Sequence, residues 1–310
     1  LTVVILLTVS NIKPVFAQID PMDSVEVSLL TCSPHEEIYS LYGHSALRWH
    51  SADQDLVFNW GMFSFGKPYF VLRFVFGLTD YELGTYPFSR FWPYYQKWGS
   101  SITEQVLNLT GDEKRSLQIA LSENLQPENR VYRYNFFYNN CSTKPRDMIE
   151  QSVASQIIYN DREDFEPTFR EMVRECNRNH LWSKWGNDML LGLKADQKTD
   201  RTEQEFLPMN LMHDFAQAQI YSNGAYRPLV KEQHLLVAPG VQLIEPDFIL
   251  SPAEVAVLLL LISTGIALYE WKRKKIAKWW DILLMVMQGL AGIVLTVMIF
   301  SQHPPTSLNL

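Results

Sequence analysis

Apolar and polar residues alternate from Val25 through Glu26, Val27 and Ser28 to Leu29, a period of two that predicts a β-strand. HSALRWH (44–50) and LVFNWG (56–61) flank the polar turn SADQD, the pattern of a β-hairpin. Thr110-Gly-Asp-Glu113 has capping-box spacing and opens a helix through Leu117, Leu121 and Leu125. RVYRYNFF (130–137) sets Tyr132, Tyr134 and Phe136 on one face, which predicts a strand, and a helix is expected from about Thr143. Later the pattern is mainly helical. One helix is expected around 165–178, and another begins at Thr202 with Glu205 as its capping-box partner. Strands and helices segregated along the chain predict an α+β domain.

The two ends follow a different rule. Residues 1–17 form an apolar run ending on Ala17 after Val15, the form of a secretory signal peptide or a short N-terminal anchor. Ser251-Pro252-Ala253-Glu254 supplies an N-cap, a proline at the first helical position and a capping-box glutamate. The helix it starts runs to Trp271, about 20 residues and long enough to cross a bilayer core. KRKKIAK (272–278) places five cations in seven residues ahead of a second apolar run to Phe300, with Trp279 and Trp280 at its mouth. Cations between two spans face the cytoplasm, so the body before residue 250 is exported.

The 310 residues suffice for one or two cored domains, and 47% of them are apolar. A net charge of −7, with no basic stripe, argues against nucleic acid as a partner. Three cysteines allow at most one disulfide, and Cys32 with Cys176 is a possible pair. Residues 57–98 hold 16 aromatics, a density that suits either a core or a wall receiving acyl chains and headgroups. His180, His213 and His234 are scattered without ligand spacing, so neither a metal site nor a cofactor is expected.

Cys141 is the leading candidate for chemistry. Pro145 lacks an N–H and fits only a first helical turn, so the helix start falls between about Asn140 and Thr143. Cys141 then sits at the positive end of that helix, where thiolate is favoured over thiol and spare N–H groups are available to an oxyanion. His44, opening a strand after Gly43, is the candidate base. If His50 faces Asp55 across the hairpin, Asn59 becomes a diagonal neighbour of His44 and can orient its ring. Tyr42, Arg48, Tyr138 and Asn140 flank these positions or share their faces, and they are the expected substrate-binding residues.

LLTCSPHEEIYSLYGHSALRW, LTDYELGTYPF, EQVLNLT, YNNCSTKPRDMIE and EFLPMNLM, in that order, resemble the periplasmic domain of the Bacteroidota lipoprotein N-acyltransferase family, the Lnb type. That family is in turn similar to circularly permuted papain-like enzymes, whose histidine strand precedes the cysteine helix. The resemblance implies Cys141 as nucleophile and His44 as base. It implies a phospholipid acyl donor, a diacyl lipoprotein acceptor and an inner-membrane location with the catalytic domain in the periplasm. The expected organisation is a leader over 1–17, a papain-like core over 18–160, a helical extension over 161–246 and two membrane helices within 247–310, at about 252–271 and 280–300. Relatives of this kind continue into further spans, whereas this sequence carries two. Two other readings compete: a membrane-tethered cysteine hydrolase acting on cell-wall peptides, and a non-catalytic anchored binding module.

Overall fold

The computed structural model describes residues 20–35, 37, 40–63, 68–69, 73, 76, 78–160, 162, 165–242 and 248–299. The expected leader, and much of the aromatic stretch between residues 63 and 78, lie outside them. The strands are β1 (Glu26–Cys32), β2 (His44–His50), β3 (Asp55–Met62), β4 (Asp80–Pro87), β5 (Ile102–Leu107), β6 (Val131–Arg133), β7 (Gln156–Ile158), β8 (Gln219–Ser222), β9 (Ala225–Pro228) and β10 (Val230–Val237). Seven form one antiparallel sheet in the order β10-β5-β1-β2-β3-β4-β6, and β7, β8 and β9 form a small second one. The helices are α1 (Phe88–Lys97), α2 (Gly111–Asn124), α3 (Thr143–Ser152), α4 (Phe169–Cys176), α5 (Leu181–Leu190), α6 (Arg201–Gln204), α7 (Pro208–Gln217), α8 (Pro252–Arg273) and α9 (Lys278–Ile299).

Alternation along the strands gives the large sheet two apolar faces. Leu29, Leu47, Phe58 and Trp60 look one way and are covered by Leu117 and Leu121 of α2, Ile149 of α3, and Leu211 and Phe215 of α7. Leu30, Ala46, Val57 and Ile102 look the other way, beneath Phe91 and Tyr95 of α1. Burying each large apolar side chain contributes roughly 1.5–3 kcal/mol, so both layers are needed to hold the sheet. A third cluster joins Phe137, Phe169, Val173 and Phe206 among the later helices.

The strand, hairpin and capping-box expectations for β1, β2, β3 and α2 are met, the last with both Thr110 and Glu113 bonds formed. Three details differ. The strand expected over 130–137 stops at Arg133, because Asn135 Oδ1 accepts the N–H groups of Phe137 and Tyr138 and turns the chain. The helix expected from Thr202 instead starts at Arg201. Asp200 is its cap and Glu203 the reciprocal partner, while Glu205 is fully buried against Arg146 and Arg201. Finally, residues 161–246 are not purely helical. β10 pairs with β5 at the edge of the main sheet, and Arg227 of β9 reaches Glu113 on α2 at 2.6 Å.

α8 opens with the expected capping box between Ser251 and Glu254. Its 22 residues span roughly 33 Å, the thickness of a bilayer core. α9 folds back against it, and Trp280 Nε1 donates to Ser263 Oγ at 3.2 Å. The two apolar helices form a hairpin with the lysine-rich turn at its tip.

Candidate active site

Three elements meet where β2 begins and β3 ends. Gly43, at φ 77°, delivers the chain into β2, and a Cβ there would lie 2.9 Å from the Cys32 carbonyl oxygen. Only glycine suits both conditions. The hairpin register pairs His50 with Asp55 and Leu47 with Phe58; one step further places Asn59 opposite Ala46, on the face of His44. His44 Nε2 lies 2.7 Å from Asn59 Oδ1. Asn59 Nδ2 in turn donates to Tyr86 Oη at 2.6 Å, which fixes the oxygen end of the amide toward the imidazole. Nε2 therefore carries the hydrogen, and the Nδ1 lone pair is left to act as base.

Cys141 arrives from the other side, just before α3. Asn140 shapes its approach: Oδ1 accepts the N–H groups of Ser142 (2.8 Å) and Thr143 (3.0 Å), and Nδ2 donates to the carbonyls of Phe136 and Phe206. Two of the N–H groups expected to be open to an oxyanion are thus used within the turn. Ser142 Oγ donates to the Glu205 carbonyl at 2.7 Å, so residues 205–206 hold both neighbours of the cysteine. Cys141 Cβ and His44 Cε1 both lie within 3.7 Å of where a Gly61 Cβ would be. That shared point, at a glycine with φ 129°, shows the sulfur-bearing and imidazole-bearing residues to be immediate neighbours.

The electrostatics are reciprocal. Burial pushes the Cys141 thiol up, but the His44 cation, its hydrogen bond and the N–H groups of Ser45 and Cys141 itself outweigh burial and bring it below the ordinary value. Burial pushes the His44 imidazolium down, yet the Cys141 charge and the bonds to Cys141 and Asn59 raise it overall. Each group thus shifts the other toward its charged form. Tyr95 stacks on the His44 ring at 6.3 Å between centroids.

The other expected site residues have different employment. Arg48 is held by Asp55 (2.7 Å) and Glu104 (3.0 Å) and stacks over Phe88. Tyr42 Oη accepts from Asn177 (2.9 Å) and Asn187 (3.2 Å). Tyr138 packs on Phe169 beneath Lys194, and Asn140 is buried as described. The structure therefore gathers Cys141, His44 and Asn59, and leaves these four as supports around them. Sequence reasoning missed Tyr86, Gly61 and residues 205–206. Reading DYELGTYP (80–87) as a strand beside β3 is the signal that locates Tyr86, opposite Val57. Cys32, Cys141 and Cys176 are all free thiols. Among the described residues no group of His, Cys, Asp or Glu side chains has the makings of a metal site.

The model of the Lnb N-terminal periplasmic domain matches residues 13–175, a span that holds all three converging residues. The chain belongs to the Lnb family. The Lnb transmembrane domain matches residues 244–310, which contain α8 and α9. No curated protein and no solved structure matched the chain. Lnb membership, with the apolar hairpin, makes this a membrane-anchored protein with a periplasmic domain.

Proposed function

We propose that this Lnb protein is a thiol acyltransferase of the inner membrane, moving an acyl chain from phospholipid to the N-terminal amine of a diacyl lipoprotein. The observation that carries the reading is the convergence of Cys141, His44 and Asn59, with the thiol lowered and the imidazole raised. The order of the parts, histidine strand before cysteine helix, is that of a circularly permuted papain-like enzyme. In the first step the Cys141 thiolate attacks the ester carbonyl, forming the C–S bond. The C–O bond breaks, the leaving alkoxide takes the proton from His44, and a lysophospholipid departs. In the second step the lipoprotein α-amine attacks the thioester and gives its proton to His44; the amide forms and the thiolate is regenerated. An α-amine pKa of about 7.7–8.0 leaves a neutral fraction near pH 7 for that attack. Anchoring in the bilayer that holds both substrates raises their effective concentration.

The test is capture of the acyl-enzyme. Full-length protein incubated with phospholipid is expected to gain one acyl mass on Cys141 by intact-mass analysis, and none in Cys141→Ala. Adding a diacyl lipopeptide should discharge that mass into a triacylated product. Absence of the adduct, with release of muropeptides from cell wall instead, would move the assignment to a peptide hydrolase.

A further inference from the structure

Helix α5 carries a side that neither the core nor the site absorbs. Leu181 is 45% exposed and Trp185 49%, one turn apart on the same side. Trp182 Nε1 donates to the Leu250 carbonyl at 2.7 Å, immediately before Ser251 caps the first membrane helix. The Trp182 ring meets Trp185 edge-on at 5.8 Å and Phe248 at 6.1 Å. Phe248 and Ile249 are themselves 67% and 94% exposed. The result is one continuous apolar and aromatic surface, running from α5 into the chain that enters α8.

We propose that α5 and residues 248–250 form an interfacial platform lying in the headgroup layer of the bilayer that the hairpin crosses. The depth follows from the helix itself. The uncharged stretch of α8 begins at Val255, five residues after Leu250, and those five residues rise about 8 Å at 1.5 Å each. The polar layer on each side of the hydrocarbon is of that order, about 5–8 Å thick. Tryptophan is favoured there because its ring is apolar and its N–H polar. Continuity with the span selects lipid over a protein partner, since the surface cannot leave the membrane while Leu250 is held by Trp182.

The opposite side of α5 explains why a fixed depth matters. Asn187, on that opposite side, donates to Tyr42 Oη at 3.2 Å, two residues before His44, while Asp188, flanking the apolar side, is held by Arg170 and Arg174 and ties α5 to α4. The helix resting on lipid is thus joined through one tyrosine to the turn that leads into β2, the strand that carries the base. The platform sets the height of the site above the membrane, and this holds whatever chemistry Cys141 performs.

The experiment places the unsubstituted full-length chain, one per disc, in phosphatidylcholine nanodiscs containing a diazirine-bearing phospholipid. Photolysis should label peptides covering 181–185 and 248–250 as well as α8 and α9, while the exposed hairpin 219–228 stays unlabelled. Spin labels on L181C and W185C, each in a C141S/C176S background, provide a second reading. Oxygen should relax them several-fold more effectively than an aqueous nickel chelate, with the ratio reversed for a label on Y226C. Labelling confined to α8 and α9, or spin labels at 181 and 185 that behave like the one at 226, would overturn the proposal. So would low access to both relaxants, which would mean that protein covers the surface.

Discussion

The imidazole of His44 is governed by a chain of three side chains, and each link has a separable effect. Without the His44 cation, burial of Cys141 is no longer opposed by its largest favourable influence. His44→Ala should therefore move the pH midpoint of thiol alkylation from below the ordinary cysteine value to above it. A stopped-flow iodoacetamide profile measures this, and an unmoved midpoint would show that the ring does not govern the sulfur. Tyr86 acts one step further out, by accepting the Asn59 N–H. Tyr86→Phe strands that donor and loosens the amide, so turnover should fall on the order of tenfold, equivalent to about 1.4 kcal/mol of barrier. The thiol should remain reactive, since no atom of the Cys–His pair is removed.

At the scale of elements, the entry to β2 is the most constrained turn near the site. Gly43→Ala meets both a positive φ and the Cys32 carbonyl, and is expected to cost about 1–3 kcal/mol. Gly224→Ala has a similar φ of 81° but open space around it, so its melting temperature should fall less. Much of the site's local geometry was legible in the sequence. The length of SADQD set the hairpin register that puts Asn59 beside His44, and Pro145 marked the start of α3. What was not legible depends on tertiary choice. Thr202 with Glu205 and Asp200 with Glu203 have the same spacing; burial of Glu205 between two arginines decides for the second. β4 carries Gly84 and Pro87, residues that suggest a loop, yet the sheet tolerates Gly84 because the Met62 side chain occupies the space of its missing Cβ. β10 has no clean alternation because it is an edge strand, rich in polar residues where pairing ends. The meeting of Cys141 with His44 needs the whole sheet order, and no local pattern contains that.

For the molecule as a whole, the segment after residue 217 is part of the body and not an appendage. Ile220 and Leu229 are fully buried in the main core, and β10 covers the outer edge of β5. A chain ending at residue 242 should give a folded, monomeric periplasmic body, while one ending at residue 217 should aggregate. Circular dichroism and gel filtration distinguish the two, and a folded monomer ending at 217 would contradict the topology. The free state of all three thiols also has a consequence for life in an oxidising compartment. Cys32 faces His44 across the strands, but burial raises its thiol far above the usual range, and Cys176 is pushed up to about 11, chiefly by burial. Both are thus disfavoured as thiolates, which slows their condensation with a sulfenic acid on Cys141. A chain oxidised at Cys141 by peroxide is therefore expected to depend on a reductant from outside, because the fold lowers one thiol and raises the other two.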